Sequence, residues 1–142
     1  MKKSLRILLL LFLVLTTGVV LFFAIFTKPV DLGFAEKITL NYVHEHNDKD
    51  IHVEITDRED FARLVSISKG RANAFDWPSC GFGTAELIFE GNGKSIAIYP
   101  ACDSCGAMRL GKPDKYFYGI SDKNRRLLEE ILAKYGAAFP CV

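Results

Sequence analysis

The segment Ala85-Glu-Leu-Ile-Phe-Glu-Gly-Asn-Gly-Lys-Ser-Ile-Ala-Ile-Tyr-Pro100 determines most of what can be predicted about the fold. Apolar residues alternate with other residues on both sides of Asn92-Gly93, the dipeptide most typical of a two-residue hairpin turn. A turn at these two residues places Phe89 opposite Ile96, so that the apolar residues of both strands share one face. The segment therefore predicts an antiparallel hairpin with one buried face.

The same register predicts a disulfide bond. Extending the pairing outward brings Cys80 opposite Cys105, and this leaves Cys102 to pair with Cys141. Four cysteines allow three connectivities, and the second choice joins Cys102 to Cys105 and Cys80 to Cys141. A zinc site is a weaker alternative, because one CxxC motif with two distant single cysteines is a poor zinc pattern. We expect neither a metal nor a cofactor.

The CxxC motif lies within Pro100-Ala-Cys-Asp-Ser-Cys-Gly106. Redox-active CxxC pairs lie at a helix N-terminus, where the helix dipole lowers the pKa of the first thiol. The segment after Cys105 is too short, and too interrupted by Gly106, Gly111 and Pro113, to form such a helix. Thiol–disulfide exchange by Cys102 and Cys105 is therefore the alternative function, and no catalytic residue is predicted.

The N-terminal region predicts a membrane-spanning segment. Leu5 to Phe26 contains a single charged residue, Arg6, and a helix of this length spans about 33 Å, enough for a hydrocarbon core of about 30 Å. We expect a signal-anchor within residues 1–27, with the lipid bilayer as partner through residues 5–26. Cleavage after Ala35 is the alternative.

The charges flanking this segment predict its orientation. Lys2, Lys3 and Arg6 favour a cytoplasmic N-terminus and a single-pass protein whose C-terminal domain is extracytoplasmic, where cysteines normally form disulfides. Without these three residues the chain has 15 basic against 17 acidic residues. That balance gives no indication of nucleic-acid binding.

The remaining patterns predict an α+β domain over residues 37–142, joined to the membrane segment by a tether over residues 28–36. Ile38 to Tyr42 and Ile51 to Ile55 alternate as strands, and Tyr42 is expected to face Val53 in a hairpin. The other expected elements are a helix near 57–69, strands at 106–110 and 116–120, and a last helix that begins at Ser121 and ends at Gly136. The predicted fold is a mostly antiparallel sheet of about five or six strands with two helices on one face, in the order ββα-βββ(β)-α.

A long loop over residues 71–83, together with the neighbouring segment 100–106, is the predicted contact surface. Its aromatic residues Phe75, Trp77 and Phe82, together with Asp103, are candidates for contact with a protein partner, although large aromatic side chains are more often buried. His44, His46 and His52 resemble a metal cluster in sequence. The strand pattern places His44 and His52 on opposite faces, so we expect no metal site there.

Three C-terminal segments carry a family resemblance: Tyr99 to Gly106, Lys115-Tyr-Phe117, and Tyr135-Gly-Ala-Ala-Phe-Pro-Cys-Val142. In these segments the chain resembles small exported, membrane-anchored proteins of Gram-positive bacteria that carry no assigned activity. The resemblance implies export and no particular chemistry. The sequence as a whole predicts a membrane-tethered extracytoplasmic binding or protein-interaction domain stabilised by disulfides.

Overall fold

The computed structural model describes residues 2–43, 50–76, 78–103, 105–111 and 116–137. Trp77 and Cys141 lie outside the described residues, as do His44 and His46 of the predicted histidine group. The helices are α1 (Lys2–Phe26), α2 (Arg58–Ile67) and α3 (Asp122–Lys134). The strands are β1 (Thr27–Val30), β2 (Lys37–Tyr42), β3 (Ile51–Glu54), β4 (Gly70–Asn73), β5 (Ala85–Gly91), β6 (Lys94–Pro100), β7 (Ala107–Leu110) and β8 (Phe117–Gly119).

The described strands form one eight-stranded sheet in the order β1-β4-β8-β7-β6-β5-β2-β3. Every neighbouring pair is antiparallel. The predicted α+β class and antiparallel sheet are confirmed. The predicted number of strands is too small, because β1 overlaps the expected tether and β4 overlaps the expected long loop.

The β5–β6 hairpin has the predicted register. Phe89 pairs with Ile96 and Leu87 with Ile98. Asn92 and Gly93 both have positive φ angles, of 49° and 70°, which is the backbone conformation that a type I′ turn requires. Phe89 and Leu87 are fully buried, as expected for the inward face.

The β2–β3 hairpin has a different register from the predicted one. Tyr42 pairs with Ile51 and Leu40 pairs with Val53, whereas Tyr42 was expected to face Val53. The offset is two residues, and a shift of two keeps every side chain on its own face of the sheet. The apolar pattern that supported the prediction is equally compatible with both registers.

The chain between α1 and β2 belongs to the folded domain. Thr27 follows Phe26 directly, and β1 pairs with β4 along its whole length. Val30 and Leu32 are buried in the common core. Residues 28–36 therefore differ from the predicted tether, because they begin with an edge strand and contribute apolar side chains to the core.

The two helices of the domain share this core. α2 begins after Asp57, whose side chain accepts hydrogen bonds from two backbone N–H groups, and α3 begins after Ser121, the predicted cap. The core cluster combines apolar residues of α2 and α3 with the inward residues of the sheet. Leu64, Leu128 and Leu132 supply the helix side of this cluster.

Candidate functional site

The sheet surface opposite the core residues carries a row of polar side chains, one from each of several neighbouring strands. Asn41 of β2 pairs with His52 of β3 and with Glu86 of β5, and Tyr99 of β6 pairs with Arg109 of β7. We call this surface the polar face. Because consecutive residues of a strand point to opposite faces, these side chains share the face opposite the core residues.

Hydrogen bonds join most of this row into one chain. His52 Nδ1 lies 2.6 Å from Asn41 Oδ1, and Asn41 Nδ2 donates to Glu86 Oε2 at 2.8 Å. The Tyr99 hydroxyl donates to the other carboxylate oxygen of Glu86. The Glu86 carboxylate is thus oriented by donors on both neighbouring strands, and Asn41 links it to the exposed imidazole.

An aromatic and cationic cluster continues the row. The Arg109 guanidinium lies 4.3 Å from the centre of the Tyr99 ring and 5.4 Å from that of Phe82. The Phe82 ring lies 5.5 Å from the ring of Phe117. The loop after β4 therefore packs over the β7–β8 part of the polar face, and Arg109 lies within cation–π distance of two rings.

Smaller side chains lie beside the row, over β2, β5 and β6. Thr39 pairs with Ile88, and Ile88 with Ala97; the last two are half-exposed. Beyond them the Lys37 ammonium lies 3.6 Å from a carboxylate oxygen of Glu54 and 3.9 Å from one of Glu90, both exposed ion pairs. The polar face thus contains one less polar strip, formed by Thr39, Ile88 and Ala97, with a row of polar side chains on each side of it.

The cysteines lie at one end of the hairpin. The sulfurs of Cys80 and Cys105 are at disulfide distance and their Cα atoms are 6.6 Å apart, which is the pairing expected from the hairpin register. Cys102 is 2% exposed and has no disulfide partner among the described residues. Its predicted partner Cys141 lies outside them. This arrangement gives no support to exchange between Cys102 and Cys105, since one thiol is buried and the other is bonded elsewhere.

The residues predicted to form one contact surface occupy different places. Phe82 packs on the polar face, whereas Phe75 stacks on Phe22 and Phe26 of α1. The Asp103 carboxylate accepts a hydrogen bond from the backbone N–H of Cys105 at 3.1 Å, so it shapes the CxxC turn. Trp77 is outside the described residues.

Asp103 also lies close to the two bonded sulfurs. Its carboxylate oxygen and the sulfurs of Cys80 and Cys105 are all within 4.8 Å of one another, a separation that could accommodate a metal ion. A disulfide lacks the thiolates that bind zinc, so this group could hold a metal only after reduction.

A second polar cluster joins the start of α2 to the end of α3. The Lys134 ammonium lies 2.6 Å from the buried Asp60 carboxylate and 3.1 Å from that of Asp57, and the Tyr135 hydroxyl donates to Asp60 at 3.2 Å. These contacts raise the pKa of Lys134, chiefly through Asp60. Backbone donation from Asp60, followed by the Lys134 contact, lowers the pKa of Asp57.

This cluster holds two helices together, and every charged group in it has a partner of opposite sign. It is therefore a structural clamp rather than a reactive site. The pKa of Tyr118 is raised by burial, and its hydroxyl donates to the Ser68 carbonyl at 2.7 Å beneath the sheet. Tyr118 likewise has a structural role.

The polar row was not predicted from the sequence, although one of its contacts could have been. The hairpin register that brings Cys80 opposite Cys105 also brings Glu86 opposite Tyr99, an acid and a phenol on the outward side of two strands. Comparisons with known protein families, with curated proteins and with solved structures found no match for this chain.

Proposed function

We propose that the protein is a membrane-tethered, extracytoplasmic domain that binds another protein on its polar face. The helix α1 is long and apolar enough to cross a membrane or to act as a signal sequence. The basic residues before its apolar part favour a cytoplasmic N-terminus, which exports the domain. A disulfide between Cys80 and Cys105 is consistent with an oxidising compartment.

The observation that carries the proposal is the composition of the polar face over β2, β5 and β6. Ile88 and Ala97 are half-buried at its centre, beside the buried Thr39, and charged and polar groups line both margins. An apolar centre with a polar rim is the usual arrangement of a protein–protein interface. Placement on strands also limits the ordering cost that a partner would have to overcome.

The same geometry defines the partner's chemistry. A polypeptide that presents an apolar side chain to Ile88 would place its neighbouring polar groups against Asn41 and Glu86, which are half-buried, whereas Tyr99 is buried beneath them. The oriented carboxylate of Glu86 favours a hydrogen-bond donor at that position. Nothing in this arrangement calls for a cofactor, and the proposed role requires no reaction.

Site-specific crosslinking in the native host tests the proposal. A photoreactive amino acid at Ile88 is expected to give one adduct of discrete mass, whereas the same residue at Glu130, on the exposed side of α3, gives none. The substitution Ala97→Arg, which places a long charged side chain beside Ile88, is expected to abolish the adduct. Equal crosslinking at both positions, or an adduct unaffected by Ala97→Arg in a folded protein, contradicts the proposal.

A further inference from the structure

The end of α1 is bonded to the domain rather than left to solvent. The last carbonyl groups of a helix lack partners within the helix. Here the Phe23 carbonyl accepts from the Thr27 hydroxyl at 2.7 Å, and the Phe26 carbonyl accepts from the backbone N–H of Ala74 at 2.9 Å. The Tyr116 hydroxyl donates to the Ile25 carbonyl at 3.4 Å. Strand β1 and two loops thus meet the helix at its last turn.

A cluster of three phenylalanines surrounds this junction. The Phe75 ring lies 5.3 Å from that of Phe22 and 5.4 Å from that of Phe26, and the rings of Phe22 and Phe26 are 4.8 Å apart. Phe22 precedes Phe26 by one turn, about 6 Å along the helix axis. Phe75 therefore lies beside the apolar part of α1, although it belongs to the domain.

A defined turn presents Phe75 in this position. The Asn73 side chain accepts hydrogen bonds from the backbone N–H groups of Phe75 and Asp76, at 2.9 and 3.0 Å, and donates to the Asp76 carboxylate at 2.8 Å. Despite its stacking on α1, Phe75 remains 45% exposed. Outside α1, only Val43 is a comparably exposed large apolar residue among those described.

A cation and a phenol lie next to the same junction. The Lys28 ammonium is 4.3 Å from the centre of the Tyr116 ring. Aromatic residues with a polar group are enriched at the headgroup level of membranes, and lysines beside an apolar helix direct their ammonium groups toward the headgroups. If α1 crosses the bilayer, the contact between Lys28 and Tyr116 therefore lies at the depth where headgroups are expected.

We propose that the domain makes a second contact with the bilayer through Phe75, whose ring enters the boundary between headgroups and acyl chains while Tyr116 and Lys28 lie at headgroup level. The inference rests on the proposed role of α1 as a membrane-spanning anchor. The occupant is lipid because Phe75 packs against the span itself, so its exposed surface continues the lipid-facing surface of α1. This contact holds the domain in one orientation on the membrane.

Fluorescence quenching by brominated lipids tests the contact. In a Trp77→Phe background of the full-length protein, a single tryptophan is introduced by Phe75→Trp, by Val43→Trp or by Leu15→Trp. Each variant is placed in phosphatidylcholine nanodiscs, one chain per disc, with bromine either near the headgroup end or near the methyl end of the acyl chains. Circular dichroism and thermal unfolding establish that the three variants fold alike.

The tryptophan at position 75 is expected to lose fluorescence most with bromine near the headgroups, and that at position 15 with bromine near the methyl ends. Val43 follows β2, which lies near the end of the sheet opposite to β1. The tryptophan at position 43 is therefore expected to lose no fluorescence. Quenching at 15 without quenching at 75 overturns the lipid contact and leaves the anchor intact. Absence of quenching at 15 overturns the anchor, and with it the premise of the contact. Equal quenching at positions 43 and 75 also overturns the lipid contact of Phe75, because a nonspecific approach of the domain to the bilayer would produce that result.

Discussion

Removal of the Cys80–Cys105 bond is expected to destabilise the domain strongly. The two cysteines are separated by 25 residues, and closing a loop of that length removes about 12 cal/mol/K of chain entropy from the unfolded state. At 25 °C this corresponds to about 3.5 kcal/mol. A domain of ordinary stability has about 5–15 kcal/mol in total, so the loss is a large fraction of it.

A double-mutant cycle measures this contribution. Guanidinium unfolding of the full-length protein in detergent, followed by circular dichroism, is compared for wild type, Cys80→Ala, Cys105→Ala and the double variant, with free thiols alkylated. Either single substitution already breaks the bond. We therefore expect all three variants to lose about the same free energy of unfolding, with a coupling between the two sites close to the full effect.

Peptide mapping without reduction identifies the bond directly. Trypsin with Asp-N protease separates Cys102 from Cys105, because Asp103 lies between them. The expected product joins the peptide Asp76–Lys94 to the peptide Asp103–Arg109. A product that joins Cys80 to the peptide ending at Cys102 would refute the assignment. In the double-mutant cycle, the assignment would be refuted by effects of the two single substitutions that add, or by a double variant whose free energy of unfolding lies within about 1 kcal/mol of wild type.

Three further predictions concern the core, a close backbone contact and the helix clamp. Leu32→Ala is expected to cost about 2–5 kcal/mol of unfolding free energy because Leu32 is fully buried; a loss below about 0.5 kcal/mol would instead indicate a tether. Gly91→Ala is expected to cost at least about 1 kcal/mol in the same assay, since a Cβ there would lie 2.2 Å from the backbone oxygen of Phe34, in the segment between β1 and β2. Gly81→Ala, with no atom within 4 Å of the added Cβ, is its control. Asp57→Asn keeps a cap but removes the charge facing Lys134; because folding lowers the pKa of Asp57, the stability advantage of wild type should be present near neutral pH and shrink as pH falls from about 5 toward 2. A pH-independent difference between the two proteins would contradict the clamp.

The β5–β6 hairpin was predictable because its constraints are local. Asn92-Gly93 specifies the turn, and the turn fixes the register of every pair outward from it. The proximity of Cys80 and Cys105 was predicted from that register, but both residues lie beyond the strand ends and Cys105 lies in the turn from β6 into β7, so the register alone does not bring them together. The helix α3 was predictable for a similar reason, since Ser121 supplies a cap and the apolar stripe has the helical period.

The parts that were missed depend on contacts between distant segments. β1 and β4 are four residues each, and both are too short and too polar to show an alternating pattern. They become strands by pairing with one another, Thr27 with Asn73 and Val30 with Gly70, across a long stretch of chain. The predicted β2–β3 register was wrong for a different reason. Alternation identifies which face a residue occupies, but it cannot distinguish registers that differ by two residues.

The candidate site was less predictable than the fold. Phe75 and Phe82 were grouped because they are near in sequence, but the loop carries one to α1 and the other onto the polar face. The sequence did not predict a site at Asn41, Glu86 and Tyr99, because nothing in the pattern of any single strand marks one of them as a site residue. Their chemical significance arises only when pairing brings an amide, a carboxylate and a phenol side by side.

The direct passage from α1 into β1 has a consequence for the proposed binding role. A flexible tether of about ten residues would let a domain move about 17 Å from the end of its anchor. Here Thr27 is already paired with Asn73, which pairs in turn with Phe117. From there a cross-strand row continues through Arg109 and Tyr99 to the rest of the polar face. For a chain anchored by α1, the proposed binding surface is thus connected to the bilayer by paired strands, which fix its distance and orientation. Such a surface favours a partner that is also held at the membrane, because the partner then meets it at a high effective concentration and in a constant geometry.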